Sequence, residues 1–264
     1  MDNYISSVQN GRIKHVLTLQ QKNSERRKQG LFVVEGVREL THCVESEFEI
    51  HSLFWCPEIC SFNYSSLHVS NEKVFQVSRN VYERMAYRGS TEGMMALVIE
   101  KNRQLSNLIL PDNALILVLE KVEKPGNLGA VLRSADAAHA DAVIVCDPLT
   151  DIYNPNLIRS SIGAVFTVPT VSCSSLECIE FLKSRNIQIL TAQLQDSKTY
   201  FDTDMKCSTA IVMGTESTGL TQVWRDAATA HIRIPMLGRM DSLNVSVSAS
   251  ILLFEAVRQR YNKA

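Results

Sequence analysis

A chain of 264 residues, 45% hydrophobic and 21% charged, can bury a real core as one large α/β domain or two unequal ones, and its composition excludes disordered and collagen-like classes. A formal net charge of −1 argues neither for nor against a nucleic-acid partner. Seven cysteines, at 43, 56, 60, 146, 173, 178 and 207, form no CxxC pair and no His/Cys cluster at zinc spacing, so they read as small core residues of a reduced compartment, with no metal expected. "MDNYISSVQNGR" lacks a basic-then-apolar signal, and no apolar run approaches the ~18–20 residues of a membrane span. The expectation is a cytoplasmic protein with no membrane partner.

Arg12, Lys14, Lys22, Arg26, Arg27 and Lys28 crowd the first thirty residues against Asp2 and Glu25, which is either a weak electrostatic footprint or a solvated basic helix. Residues 11–20 predict a helix, "LFVVEG" a short strand ending at Gly36, and "VRELTHCVES" an amphipathic helix. "IHSLFWC" and "GMMALVIE" predict strands on either side of a helix in "SRNVYERMAY". The polar, proline-bearing "KNRQLSNLILPDN" then separates two textures, placing a boundary between domains 1–104 and 105–264. Beyond it "ALILVLEKV", "DAVIVCD", "IQILTAQL", "STAIVMG" and "HIRIPM" are continuous apolar runs, alternating with helical stretches such as "NLGAVLRSADAAHA". That alternation predicts a parallel sheet covered on both faces.

Three strand-to-helix joints carry candidate chemistry. "LEKVEKPGNLGAVLRSADA" brings a glycine-bearing loop to a helix N-terminus, where backbone N–H groups face a ligand. It lacks G-x-G-x-x-G, which disfavours a dinucleotide oxidoreductase. Asn127 is there either a helix N-cap or a functional group, and Arg133 either a surface arginine or one that works. "AIVMGTESTGL" runs a strand into Gly214, Glu216 and Gly219, either a tight turn before a helix or a ligand loop at a strand end. In "GRMDSLNVSVSASILLFEA", Ser242, Leu243, Asn244 and Ser246 lead into a helix that buries Val245, Ala249, Leu252, Leu253 and Ala256 on one face. Only one residue can cap that helix, so the surplus polar groups invite a ligand.

"EKPGNLGAVLRSADA", "VMGTESTGL" and "IPMLGRMDSLNVSVSASILLFE", in that order and spacing, resemble the three motifs of the SpoU (TrmH-type) branch of the SPOUT RNA methyltransferases. The likeness covers residues 114–262 closely. "LFVVEGVREL" and "STEGMMALV" look like the branch's smaller RNA-binding α/β domain, with less specific motifs. The resemblance implies an α/β fold with a deep trefoil knot in the C-terminal parallel-sheet domain, a homodimer with its active site at the subunit interface, and S-adenosylmethionine as cofactor. It implies methyl transfer to a ribose 2′-hydroxyl of structured RNA, ribosomal RNA being favoured over transfer RNA because the extra domain is present.

Carried over position by position, the likeness assigns Asn127, Arg133, Glu216, Ser242 and Asn244 to catalysis and Gly214, Ile234 and Leu243 to cofactor contact. Met236, Val245 and the end of "ILTAQL" are further expected lining. Guanidinium stays protonated, so Arg133 is expected to hold the ribose or its phosphate and to stabilise developing alkoxide charge. Arg12, Lys14, Arg26, Arg27, Arg88 and Arg103 are candidate phosphate contacts. A non-catalytic RNA-binding or ribosome-assembly protein keeping the same fold is the competing expectation.

Overall fold

The computed structural model describes residues 3–89, 92–215 and 218–261. Along the chain run β1 (Tyr4–Ile5), α1 (Gly11–Gln21), α2 (Asn23–Gln29), β2 (Leu31–Glu35), α3 (Val37–Glu45), β3 (Ile50–Trp55), β4 (Val74–Val77), α4 (Arg79–Met85) and β5 (Met94–Ile99). Then come β6 (Leu115–Glu120), α5 (Pro125–Ala137), β7 (Ala142–Cys146), α6 (Pro155–Ser161), α7 (Ala164–Thr167), β8 (Thr170–Cys173) and α8 (Ser175–Ser184). The chain finishes with β9 (Gln188–Ala192), β10 (Lys198–Thr199), β11 (Thr209–Met213), α9 (Gln222–Ala227), β12 (Ala230–Arg233) and α10 (Val245–Tyr261). Two compact units form: Met1–Asn102 with Asp151–Thr167, and Arg103–Thr150 with Val168–Ala264.

The first unit is built on a mixed sheet of order β1-β4-β3-β5-β2, in which β5 runs antiparallel to both β2 and β3. Ile13, Val16 and Leu19 recur at helical spacing along α1 and are fully buried in a core with Val33, Phe54, Phe75 and Leu97. Asn10 starts that helix by accepting from the Arg12 amide at 2.8 Å, satisfying one of its orphan donors.

Residues 151–167, expected from the sequence in the second domain, belong to this first unit. Tyr153 stacks on Phe32 with centroids 4.2 Å apart, and Phe166 meets Phe48 edge-on at 5.3 Å. Contacts of that kind supply area burial plus ring geometry. Arg26 completes the attachment: it is 4% exposed, its Nε donates to Asp151 Oδ2 at 2.6 Å, and its terminal nitrogen donates to the Leu19 carbonyl at 2.6 Å. Arg26 is therefore a structural ion-pair member and not the phosphate contact expected of it. Of its companions, Lys14 and Arg27 are exposed, and Arg12 lies 4.2 Å over the Phe75 ring. The side chain of Arg88 lies outside the described residues. Removing Asp151 leaves a buried cation unpaired, so Asp151→Ala is expected to cost about 3–5 kcal/mol, read as a lower denaturation midpoint for the first unit.

The second unit carries seven parallel strands in the order β10-β12-β9-β11-β6-β7-β8. β6, β7 and β11 are buried at every position, which is why they are continuous apolar runs in the sequence. Alternate residues face opposite sides. Ile116, Val118, Ile144 and Val212 pack with Cys178, Leu182 and Trp224 of α8 and α9, leaving Leu115, Leu117 and Leu119 for the face where α5 and α10 pair. The chain steps outward from β6 through β7 to β8, then crosses back to β9 beyond β11. Such a reversal opens a crevice at the carboxyl ends of the strands.

The end of α10 is sewn to this sheet. Arg260 donates to the carbonyls of Asn113, Ala114, Met205 and Cys207, and the Gln259 side chain accepts from the Met205 amide at 2.8 Å while donating to the Thr203 carbonyl at 3.0 Å. Those bonds fix the far end of the helix whose near end forms part of the crevice.

Candidate active site

A cleft of about 670 Å3 opens at the carboxyl ends of β9, β11 and β12. Ala192, Met213 and Ile232 form its floor, Gly214, Thr215 and Thr218–Leu220 one wall, Ile234, Met236 and Asp241–Asn244 the other, and Val245, Ser248 and Leu252 of α10 its closing side. The first wall is a tight turn. The Gly219 amide donates to the Thr215 carbonyl at 3.1 Å, the Thr218 amide donates to Thr215 Oγ1 at 3.0 Å, and Gly219 takes φ +67°. Gly214 lies so close against the returning strand of this turn that a Cβ there would stand 2.3 Å from the Gly219 carbonyl. Only glycine permits that approach.

Glu120, 1% exposed at the end of β6, holds the exit of the same turn. Its carboxylate accepts from the Thr221 amide at 2.9 Å and from Thr221 Oγ1 at 2.6 Å. A buried carboxylate needs such donors, and here they fix where α9 begins. The only hint in the sequence is an acid ending an otherwise apolar strand, "LILVLE".

The second wall ends on Asn244, which is the cap of α10. Its Oδ1 accepts from the Ser246 amide at 3.0 Å and from Ser246 Oγ at 2.6 Å, and its carbonyl accepts from the Ser248 amide at 3.0 Å. Asn244 also reaches across helices, its Nδ2 donating to Asn127 Oδ1 at 3.3 Å. Asn127 is not a cap: Lys124 holds the N-cap position of α5 without a side-chain cap bond, and the helix begins with Pro125, whose fixed φ and missing N–H suit the first helical position. Asn127 is consequently the third helical residue, with its side chain turned to the start of α10. A second tie follows further along, where Ser134 Oγ and Ser250 Oγ meet at 2.7 Å.

The structure brings the residues singled out in the sequence together unevenly. Gly214, Ile234, Met236, Leu243 and Val245 all line the one cleft, as do Ser242, Asn244 and the strand-end residues Gln193 and Leu194. Ser242 is exposed and donates to Asp241 Oδ1 at 3.2 Å. Asn127 joins through Asn244. Arg133 stands exposed on α5, roughly 1.7 helical turns beyond Asn127, outside the cleft lining. Glu216 lies outside the described residues.

The lining adds Thr215, Thr218 and Arg225, which the sequence alone did not mark. Among the described residues, Gln193 Oε1 and Arg225 Nε are buried side-chain atoms of this lining without a hydrogen-bond partner. Apolar walls with a few polar atoms left unsatisfied suit a nucleoside-sized amphipathic ligand.

The SpoU rRNA Methylase family model matches residues 114–254, and the MRM3-like substrate binding domain matches residues 10–96. The chain is similar to the 23S rRNA (guanosine-2′-O-)-methyltransferase RlmB of Pectobacterium atrosepticum, at 36% identity over 71% of the chain and 80% of that protein. It is similar to the 23S rRNA (uridine(2479)-2′-O)-methyltransferase of Streptomyces viridochromogenes, at 27% identity over 95% of the chain and 91% of that protein. The AdoMet-bound rRNA methyltransferase of Sinorhizobium meliloti superposes with a TM-score of 0.88 at 25% identity, covering 97% of each chain. Among the described residues, no helix is long and apolar enough to cross a membrane.

Proposed function

The chain belongs to the SpoU rRNA methylase family, and from that premise we propose that the cleft binds S-adenosylmethionine for methyl transfer to a ribose 2′-hydroxyl of ribosomal RNA. The observation that carries the assignment is the convergence of three loops from distant parts of the chain on one cleft at the strand ends. Its donor set fits the cofactor. The Gly214 approach leaves backbone exposed to a ligand, Ile234, Met236, Leu243 and Leu252 give apolar walls, and Gln193 and Arg225 hold polar atoms still to be satisfied.

When bound, S-adenosylmethionine supplies an electrophilic methyl group on a sulfonium. The chain's own part is to hold a ribose oxygen in line with it, and positioning of that kind accounts for much of the rate. Asn244 fixes the start of α10 and, through Asn127, the start of α5, so the two walls that meet the RNA keep one register. Ser242, exposed beside the cleft mouth, offers a hydroxyl to the nucleotide. Arg133 binds the target ribose or its phosphate and stabilises alkoxide charge as it develops, the proton passing to an RNA phosphate oxygen. Glu216 orients an arginine or accepts from the ribose.

Arg133 lies outside the lining of its own chain's cleft, and this supports a homodimer in which α5 and α10 face a second copy. Val247, Phe254 and Tyr261, seven residues apart along α10, are all exposed apolar side chains, a stripe that a second copy would cover. The carboxy-terminal half forms a trefoil knot, the protein works in the cytoplasm, and domain 1–104, extended by residues 151–167, binds RNA while the rest of 105–264 carries catalysis.

Calorimetric titration with S-adenosylmethionine tests the assignment, one site per chain being expected. A protein that binds RNA but takes up no cofactor is a binding module that kept only the fold. Asn244→Ala separates capping from function: loss of the cap costs about 1 kcal/mol, whereas turnover is expected to fall on the order of 100-fold, since a misplaced wall is costly to catalysis. A lower melting temperature with turnover intact would leave Asn244 a cap and nothing more.

A further inference from the structure

Away from the cleft, three free cysteines meet under α8. Cys146 ends β7, Cys173 ends β8 as its partner in register, and Cys178 is the fourth residue of α8. Their Sγ atoms all lie within 4.8 Å of one another. Cys146 and Cys178 are buried and Cys173 is half-buried. We propose that this trio is a binding site for one thiophilic divalent cation of the Zn2+ type, held by three cysteine sulfurs with its fourth position open to solvent beside Cys173.

The geometry is near what such an ion needs. Sulfurs at ~2.3 Å from a tetrahedral centre stand ~3.8 Å apart, so the trio has to contract by about an ångström or less, within the reach of small side-chain rotations. The topology delivers it. Parallel register puts Cys146 and Cys173 side by side, and α8, starting directly after β8, folds Cys178 back over both. Sequence separations of 27 and 5 residues between these cysteines match no linear zinc motif, which is why the sequence predicts no metal.

The helix end favours negative charge at Cys173, and the nearby carboxylates leave the fourth position free. Cys173 immediately precedes Ser174, the N-cap of the ten-residue α8, so the positive end of that helix faces the cluster. The two nearest carboxylates are already engaged. Asp147 accepts from Ser175 Oγ at 2.6 Å and from its amide at 3.4 Å, and Glu177 accepts from the Ser174 amide at 2.8 Å and hydroxyl at 2.7 Å. One divalent ion offsets most of the charge of three thiolates, which an unpaired buried set would not tolerate. Bound there, the ion cross-links β7, β8 and α8, and Ser175 passes the constraint on by accepting from Trp224 Nε1 of α9 at 3.0 Å.

The test uses the reduced 264-residue chain with Co2+ as a spectroscopic probe and Zn2+ as competitor. One equivalent of Co2+ is expected to give a sulfur-to-metal charge-transfer band that Zn2+ abolishes. Cys173→Ser is expected to lose the band, and Cys207→Ser, an exposed cysteine elsewhere, to retain it. Should Cys173→Ser fail to fold, X-ray absorption on the zinc-loaded wild type decides, with three sulfur neighbours at ~2.3 Å expected. Absence of the band, its survival in folded Cys173→Ser, or a zinc shell of oxygen and nitrogen alone overturns the proposal. Mild peroxide treatment that removes two hydrogens from a protein taking up no metal also overturns it, and makes the trio a disulfide-forming pair with a bystander.

Discussion

Arg133→Ala is expected to lower turnover by on the order of 10²–10³-fold or more, the range seen when a donor that stabilises transition-state charge is lost, while S-adenosylmethionine affinity stays within about twofold. The split follows from position. Arg133 is exposed on α5 and outside the cleft lining, so its removal leaves the walls of the cleft intact, and surface substitutions away from special features shift stability by only about 0.5 kcal/mol. Arg133→Lys sharpens the test. It keeps the charge but loses the planar fork that grips phosphate through two bonds, and is expected to recover little of the turnover. Single-turnover assays alongside calorimetry read both quantities. A variant with near-normal turnover removes the role assigned to Arg133.

Gly214→Ala is expected to do the reverse, striking cofactor binding first. The new methyl would meet the Gly219 carbonyl carbon and oxygen at 2.3 Å and the Leu220 nitrogen at 2.6 Å. All three are backbone atoms, and because Glu120 anchors the exit of the turn at Thr221 by two bonds, the strain falls on the part of the turn that lines the cleft. Overpacking of this kind costs about 1–3 kcal/mol, and with the turn displaced from the cleft the loss in affinity is expected to approach 100-fold, about 2.7 kcal/mol. Affinity within about threefold of the wild type would mean that the turn does not shape the cofactor site. Glu120→Gln is a milder probe of the same wall, because it keeps the shape but weakens the charge-assisted bonds to Thr221.

What the sequence disclosed follows burial. The strands β6, β7 and β11 were legible because burial on both faces writes itself as unbroken Val/Ile/Leu. The two-residue strands β1 and β10 were not, since what makes them strands is a partner elsewhere in the chain and not their own pattern. The unit that residues 151–167 join is set by Tyr153 on Phe32 and by Arg26 with Asp151, contacts that no local spacing records. The same reason explains Arg26 itself. It sits in a basic run that looks solvated, and its partner is 125 residues away.

At the site, Gly214, Ile234, Met236, Leu243 and Val245, singled out through the resemblance, line one cleft, because the loops after β11 and β12 leave the same side of a parallel sheet. Which asparagine caps which helix was not decidable from composition. The answer rests on where the helices begin, and Pro125, a first-position residue, was the signal that Asn127 lies inside α5. Glu120 and the cysteine trio stayed hidden for a common reason, in that each is defined by what a distant strand or helix places beside it.

The most direct measurement combines the purified protein, methyl-labelled S-adenosylmethionine and ribosomal RNA, followed by mapping of the label by resistance to alkaline cleavage, since a methylated 2′-oxygen cannot attack the neighbouring phosphate. Label at a single ribose, with the adjoining linkage alkali-resistant, is the expected result. Label on a base, or no transfer to ribosomal RNA by a protein that binds the cofactor, would contradict the account.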